Sequence, residues 1–328
     1  MRSFPLLLVP ALLLGFGARV VGADSGPTWV IENVDSGYVG QYSSIALDSS
    51  GYPHISYQQS MAGGLKYARW TGSSWNIETV DSEGDTGNNT SIALDSHGRP
   101  HISYNVFSPD FDLKYARWTG DNWVIQTVDN KGYLDGGTSL ALDSFGNPHI
   151  SYYDSICQVL KYAKWTDGIW SIQTVDANGI LGWYSSIALD SSGYPHISYY
   201  DSRGRDGNLK YARWTGSTWS IETIDNAGHG GEHTSIVLDS SGYPNISYLG
   251  LHGVLKYARW TGNAWSISTV DSGENITGGT SITLDSSGNL HISYYDLTNY
   301  ALKYAKTSIP PSLIFEVTFY TPSTPAGK

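Results

Sequence analysis

The chain has 328 residues, of which 13% are aromatic, and its formal net charge is −11. This negative charge is spread along the sequence, which disfavours nucleic acid and anionic membrane surfaces as partners because both bind a basic face. Cys157 is the only cysteine, so the fold is held without an intrachain disulfide.

The first 23 residues have the pattern of a secretory signal peptide. Arg2 precedes the apolar run Leu6 to Phe16, and Val21 to Ala23 offers small residues at a cleavage site. The run is too short to span a bilayer comfortably; a retained N-terminal anchor is the alternative. We therefore expect a secreted or cell-surface protein with a signal peptide at 1–23, a folded domain at 24–306 and a C-terminal tail at 307–328.

A phrase of the form Leu-Asp-Ser-x-Gly-x-x-x-Ile-Ser-Tyr is the dominant feature of the sequence. It recurs six times at steps of 46 to 49 residues, beginning at Leu47, Leu94, Leu142, Leu189, Leu238 and Leu284. The first five copies continue into Leu-Lys-Tyr-Ala-Arg/Lys-Trp-Thr, a short turn and Trp-x-Ile-x-Thr-Val/Ile-Asp. A period of this length built from strand-like pieces is typical of the blade of a β-propeller.

Each repeat predicts four strands, which we call A to D in chain order. In the first copy they are Ile45 to Asp48, His54 to Tyr57, Leu65 to Trp70 and Trp75 to Val80. Apolar, aromatic and β-branched residues alternate within each strand, and Gly, Asp, Ser and Pro separate the strands. The sequence therefore predicts an all-β fold, a six-bladed β-propeller of four-stranded antiparallel blades.

The strand count also predicts how the ring closes. After Lys306 the strand D motif is missing, and a matching piece, Trp29 to Asp35, stands alone before the first strand A. We expect this N-terminal strand to complete the sixth blade and leave no exposed inner edge. The alternative is the tail segment Leu313 to Tyr320, which otherwise forms a fifth strand, a surface addition or an assembly arm.

Residues that recur in every blade are interpreted as serving the blade. The Asp residues that begin the A–B turns fit Asx turns. Five histidines share one position of strand B, where their separation around an axis argues against a shared metal ion: His54, His101, His149, His196 and His291. Basic residues share one position of strand C and are expected to flank the tryptophans: Arg69, Arg117, Lys164, Arg213, Arg259 and Lys306. No metal or cofactor is predicted.

The B–C and D–A loops differ in every copy and emerge on the same side of the disc, so they form the candidate recognition face. On it, Trp183 and Tyr184 are the most distinctive residues, since an exposed Trp can stack on a sugar ring or anchor a protein partner. Three blades end strand B with an aromatic–carboxylate pair suited to hydroxyl-rich ligands: Tyr153–Asp154, Tyr200–Asp201 and Tyr295–Asp296. Local packing and shared loop structure are the alternative interpretations.

The run Ser-Ile-Ala-Leu-Asp-Ser-Ser-Gly-Tyr-Pro-His-Ile-Ser-Tyr at 186–199 resembles the first half of an NHL-type propeller repeat. Its Asp and Gly are similar to Asp-box turns of sialidase-like propellers, although the strict Ser-x-Asp-x-Gly-x-x-Trp order is absent. The short Trp-rich blades look like those of tectonin-like propeller lectins. These resemblances imply a propeller over residues 28–306 and select no single family. Sialidase activity would need an arginine cluster, and the repeated arginines are distributed around the ring.

The sequence favours a non-catalytic binding module whose variable loop face recognises carbohydrate or another cell-surface ligand. A structural surface-layer or filament subunit, self-associating through Leu313 to Tyr320, is the alternative from a different class. A glycosidase or lyase is less favoured, because catalysis needs paired carboxylates converging within about 5–10 Å in a pocket.

Overall fold

The computed structural model describes residues 32–60, 63–108, 111–134, 136–203, 207–226, 230–273 and 275–307. The chain divides into Met1–Val34 and Asp35–Lys328, and every strand given below lies in the second unit. Besides the strands, the described residues contain one 3-10 turn, Leu251–Gly253. Among them we find no helix of the length and apolar character needed to cross a membrane.

The strands form antiparallel sheets in chain order, and each sheet is one blade. The first blade holds β1 (Val39–Leu47), β2 (Pro53–Gln59), β3 (Leu65–Trp70) and β4 (Trp75–Asp81). The second holds β5 (Thr86–Leu94), β6 (Pro100–Val106), β7 (Leu113–Trp118) and β8 (Trp123–Asp129). The third holds β9 (Thr138–Leu142), β10 (Pro148–Asp154), β11 (Val159–Thr166) and β12 (Ile169–Asp176).

The remaining blades follow the same plan. The fourth holds β13 (Leu181–Leu189), β14 (Pro195–Asp201), β15 (Asn208–Trp214) and β16 (Trp219–Asp225). The fifth holds β17 (Glu232–Leu238), β18 (Pro244–Leu249), β19 (Leu255–Trp260) and β20 (Trp265–Asp271). The sixth holds β21 (Ile276–Leu284), β22 (Leu290–Asp296) and β23 (Ala301–Lys306), three strands within the described residues.

This architecture confirms the predicted all-β, six-bladed β-propeller. Strands B, C and D begin and end close to the predicted bounds, whereas strand A is longer than predicted. In the first blade it begins at Val39, and its pairing with strand B slips between Gln41 and Ser44. A β-bulge of this kind adds unpaired residues to one strand and breaks the alternation on which the sequence prediction relies.

Apolar side chains hold consecutive blades together face to face. Between the third and fourth blades, Leu160 and Tyr162 pack in one buried cluster with Leu181, Ile187 and Tyr199. Burying one such side chain stabilises the folded protein by about 1.5–3 kcal/mol relative to leaving it exposed. Equivalent clusters join the other consecutive pairs from the first blade to the sixth.

A polar clasp repeats beside each apolar cluster. Asp129, at the end of strand D, accepts hydrogen bonds from the Tyr152 hydroxyl at 2.8 Å and from Lys161 Nζ at 3.0 Å, both in the next blade. The same groups meet at Asp81 with Tyr104 and Lys114, Asp176 with Tyr199 and Lys210, Asp225 with Tyr248 and Lys256, and Asp271 with Tyr294 and Lys303.

Asp35 makes the sixth clasp. It accepts hydrogen bonds from the Tyr57 hydroxyl and from Lys66 Nζ, each at 2.8 Å. Asp35 is the last residue of the N-terminal segment predicted to be a strand D, and it occupies the place where the strand D before the first blade would end. Trp29 to Ile31 and the tail Leu313 to Tyr320 lie outside the described residues, so closure of the ring by the N-terminal strand stays a prediction.

The two ends of the blade series expose apolar side chains that are buried elsewhere. Ile45 of the first blade is 61% exposed, whereas its counterpart Ile187 is 6% exposed. Leu302 of the sixth blade is 76% exposed, whereas its counterpart Leu65 is fully buried. These faces have the composition of an inter-blade core.

Candidate functional site

Cavities recur between neighbouring blades on the side of the sheets that carries the A–B and C–D turns. Of the four found among the described residues, the largest has a volume of about 480 Å³ and lies between the fourth and fifth blades. Others of 290, 260 and 290 Å³ lie between the first and second, second and third, and third and fourth blades. Because the blade repeats, its inter-blade clefts repeat as well.

The largest cavity brings together a guanidinium, a carboxylate and indole rings. Arg213 comes from β15 and Glu222 from β16 of the fourth blade, while Trp260 and Trp265 come from β19 and β20 of the fifth. Trp265 Nε1 donates a hydrogen bond to Glu222 Oε2 at 2.9 Å. Its ring also meets Tyr211 edge to face, with centroids 5.2 Å apart. These contacts fix the carboxylate and the indole relative to each other.

The exposed Arg213 and Glu222 carry charge at the opening of this cavity, whereas the buried His196 is neutral. Burial lowers the pKa of His196 to about 4, so its imidazole is uncharged at pH 7. Arg213 is exposed, and among the described residues no hydrogen bond or ion pair holds its guanidinium. The guanidinium is therefore available to a ligand at the cavity opening.

This combination suits a ring that carries hydroxyl groups. A guanidinium presents several donors in a fixed plane, and a carboxylate accepts hydrogen bonds from hydroxyls. The face of an indole packs against apolar C–H surface. A sugar ring offers both kinds of surface at once.

The set varies from one inter-blade cavity to the next. Between the first and second blades it is Arg69, Glu78 and Trp118, and between the second and third it is Arg117, Gln126 and Trp165. The cavity between the third and fourth blades has Lys164 in place of the arginine. At the corresponding positions of the fifth and sixth blades the sequence has Arg259, Ser268 and Thr307, which lack both the acid and the indole.

The structure brings together three of the aromatic residues predicted on the variable loop face, Tyr153, Trp183 and Tyr184. Trp183 is half-buried, and its ring centroid lies 5.1 Å from that of Tyr153, which is buried, and 6.0 Å from that of Tyr184. Tyr184 is 36% exposed, and its ring lies 4.0 Å from that of His233 in the next blade. Tyr184 is thus the most accessible of the three aromatic residues predicted there.

The carboxylates predicted to bind ligand are buried and have local partners. Asp154 lies 2.7 Å from Lys161 Nζ and accepts the backbone N–H groups of its own B–C loop. Asp201 pairs with Arg203 at 2.9 Å, and Asp296 pairs with Lys303 at 2.8 Å. The adjacent Tyr200 and Tyr295 are half-exposed on separate blades, so the three aromatic–carboxylate pairs do not form one cluster.

The sequence alone does not mark the inter-blade residues as a site. Arg213 belongs to the repeated residues expected to serve the blade, and no motif points to Glu222. A signal is nonetheless present, since the strand C arginines Arg69, Arg117 and Arg213 are each followed in the same repeat by Glu or Gln on strand D. Treating every repeated residue as structural hides a site that itself repeats with the blades.

No family model and no curated protein sequence matches the chain. Similar solved structures include AofleA from Arthrobotrys oligospora, 16% identical over 83% of this chain and 86% of that one, with a TM-score of 0.57. A variant of the Aleuria aurantia lectin in complex with α-methyl-L-fucoside is 15% identical over 71% and 78%, TM-score 0.50. A leech intramolecular trans-sialidase is 11% identical over 86% and 70%, TM-score 0.58. At these identities the likeness shows a shared fold.

Proposed function

We propose that the protein binds carbohydrate in the cavities between its blades. The observation that carries this proposal is the convergence of Arg213, Glu222 and Trp260 on one open cavity of 480 Å³. This volume is within the range of small-molecule sites, which combine apolar walls with a few placed polar groups. The same three residue types recur three blades away as Arg69, Glu78 and Trp118.

The charges favour a neutral sugar. Arg213 and Glu222 carry opposite charges, and Asp190 and Asp239 of the A–B turns add carboxylates to the lining. An anionic sugar would meet more negative than positive groups in this cavity. A neutral ring can instead donate its hydroxyls to Glu222, accept from Arg213 and place its apolar face on Trp260.

Because the site repeats from blade to blade, the protein is expected to bind its ligand multivalently. Several weak sites on one rigid ring can engage several branches of a glycan surface, which raises the overall avidity without new contacts. Such recognition suits the export predicted from the N-terminal segment, with a glycan-bearing surface outside the cell as partner. The Aleuria lectin was solved with a methyl fucoside, which makes this sugar the first probe to try.

A glycan array comparing the protein, expressed as residues 24–328, with two variants tests the proposal. The double variant Arg69→Ala/Arg213→Ala removes the strand C guanidinium from both cavities that also hold Glu and Trp, and we expect at least a tenfold loss of array signal. Arg99, which also lines the first of these cavities, stays paired with Asp95. Arg259→Ala is the matched control, because Ser268 and Thr307 stand where the acid and indole would be. Equal signals from the double variant and the control would contradict the proposal.

The structural-subunit alternative has its own signature. Its predicted assembly strand, Leu313 to Tyr320, lies outside the described residues. An array without signal, from a protein that sediments as large assemblies, would favour that alternative over carbohydrate binding.

A further inference from the structure

A ring of residues with left-handed backbone surrounds the mouth of the central channel. In each blade the residue five positions before the Leu-Asp-Ser phrase has a positive φ, between 49° and 107°. These residues are Tyr42, Asn89, Gly137, Tyr184, His233 and Gly279. They occupy equivalent places in the first strand of each blade or immediately before it.

Four of the six ring residues are not glycine, although the positive φ of the backbone favours glycine at each position. Glycine adopts positive φ without strain, and Gly137 and Gly279 show that glycine fits the ring. Tyrosine and histidine are strained in this region, and strained residues persist where other contacts or a function retain them. Thr90 Oγ1 donates a hydrogen bond to the carbonyl oxygen of Tyr42 at 2.9 Å, so one strained residue is bonded to the next blade.

The ring opens onto a cavity of 330 Å³ that is lined by residues of all six blades. Tyr184 and His233 stand side by side in it, with ring centroids 4.0 Å apart and planes inclined by 34°. Tyr42 and Asn89 line the cavity from the first and second blades. The described lining contains aromatic, amide, hydroxyl and glycine groups and carries no Asp, Glu, Lys or Arg.

The titratable groups near the mouth argue against an acidic ligand. Burial lowers the pKa of His233, so its imidazole is neutral at pH 7. Burial also raises the pKa of the Tyr184 hydroxyl, and the carboxylate of the exposed Glu232 raises it further. The mouth thus lies in a weakly negative field with no described cation to balance an anion.

We propose that the central mouth is a second ligand site, which binds a neutral monosaccharide ring against Tyr184 and His233. The aromatic pair supplies the apolar surface, and the Asn89 amide and Tyr42 hydroxyl supply donors and acceptors for the sugar hydroxyls. This site lies on the side of the D–A loops, whereas the inter-blade cavities lie on the side of the A–B turns. It goes beyond the proposed function and does not depend on the inter-blade arginines.

Saturation-transfer NMR with methyl glycosides of galactose, glucose and fucose tests this site in the variant Arg69→Ala/Arg117→Ala/Arg213→Ala. This background removes the strand C guanidinium from three inter-blade cavities, so loss of the proposed function leaves the mouth measurable. Arg99, which lines two of these cavities, remains and is paired with Asp95. We expect saturation of at least one neutral glycoside, reduced at least fivefold by Tyr184→Asn, and none for N-acetylneuraminic acid. Asparagine already stands on the ring at Asn89, so Tyr184→Asn should retain the melting temperature of the background.

Tyr300→Asn is the matched control, because Tyr300 also has positive φ but is 81% exposed away from the mouth. The control should leave the saturation unchanged. Absence of saturation by all three neutral glycosides, or equal saturation in the Tyr184→Asn and Tyr300→Asn proteins, would overturn the proposal. Stronger saturation of N-acetylneuraminic acid than of the neutral glycosides would overturn it as well.

Discussion

At the scale of single residues, one position of strand B shows what the repeated histidines do. His149 shares a hydrogen bond with the Tyr162 hydroxyl at 2.6 Å, and its Nε2 lies 3.6 Å from the Asp143 carboxylate. In the fifth blade Asn245 takes the same place and accepts from the Tyr257 hydroxyl at 2.5 Å. An amide, which does not titrate, can therefore replace the imidazole as the hydrogen-bond partner of the strand C tyrosine.

The buried histidines at this position predict that the free energy of unfolding falls in acid. Burial lowers the pKa of His101, His149 and His196 to about 4, whereas an unfolded histidine titrates near 6.5. The unfolded chain binds more protons between these values, so their contribution is complete above pH 6.5 and is lost as the pH falls towards 4. Each histidine contributes a slope of up to about 1.4 kcal/mol per pH unit.

The variant His149→Asn tests this slope with the residue that the fifth blade already uses. We expect the free energy of unfolding, from urea titrations at pH 7, 6 and 5, to fall less steeply in the variant than in the wild type. His97→Asn is the control, because His97 is exposed on an A–B turn. If His149→Asn and His97→Asn showed the same pH dependence, the buried histidines would not be its source.

At the scale of the elements, the clasp at the end of strand D joins each blade to the next. Asp81 is buried and accepts from the Tyr104 hydroxyl at 2.7 Å and from Lys114 Nζ at 3.2 Å. Asp81→Ala would leave the half-buried Lys114 ammonium and the buried Tyr104 hydroxyl without their acceptor, which costs about 3–5 kcal/mol of unfolding free energy. Chemical denaturation of this variant beside Asp121→Ala, an exposed residue of a C–D turn, measures the cost. Equal losses would exclude a stabilising clasp.

The sequence was sufficient to predict strands B, C and D, because their apolar alternation is bounded by Pro, Gly and Trp in the first five repeats. The first half of strand A was not predictable, since the bulge around Tyr42 shifts the register and the residues there differ in each blade. The inter-blade cavities were missed for another reason. Arg213 and Trp260 lie 47 positions apart in different blades, and only the packing of the blades brings them together.

At the scale of the whole molecule, the exposed faces of the first and sixth blades and the clasp at Asp35 support the predicted ring closure. Trp29→Ala should therefore cost about 3–5 kcal/mol, the usual effect of removing a buried Trp side chain. Deletion of residues 308–328 should change the unfolding free energy little. The opposite ranking in denaturant titrations would favour closure by Leu313 to Tyr320.

A closed ring would also explain why the ligand sites can repeat. Each inter-blade cavity takes its polar residues from one blade and an indole from the next, so a site needs two consecutive blades held in fixed orientation. Differences such as Gln126 for Glu and Lys164 for Arg then tune individual sites without altering the scaffold.

The most direct test of carbohydrate binding between the blades is to soak crystals of the protein with the ligand that gives the strongest array signal and to determine the structure. The account predicts sugar density in the cavities that contain Arg213 with Trp260 and Arg69 with Trp118, with the ring face on the indole and hydroxyls within hydrogen-bond distance of the guanidinium. Density confined to the variable loop face, or empty inter-blade cavities at saturating ligand, would contradict it.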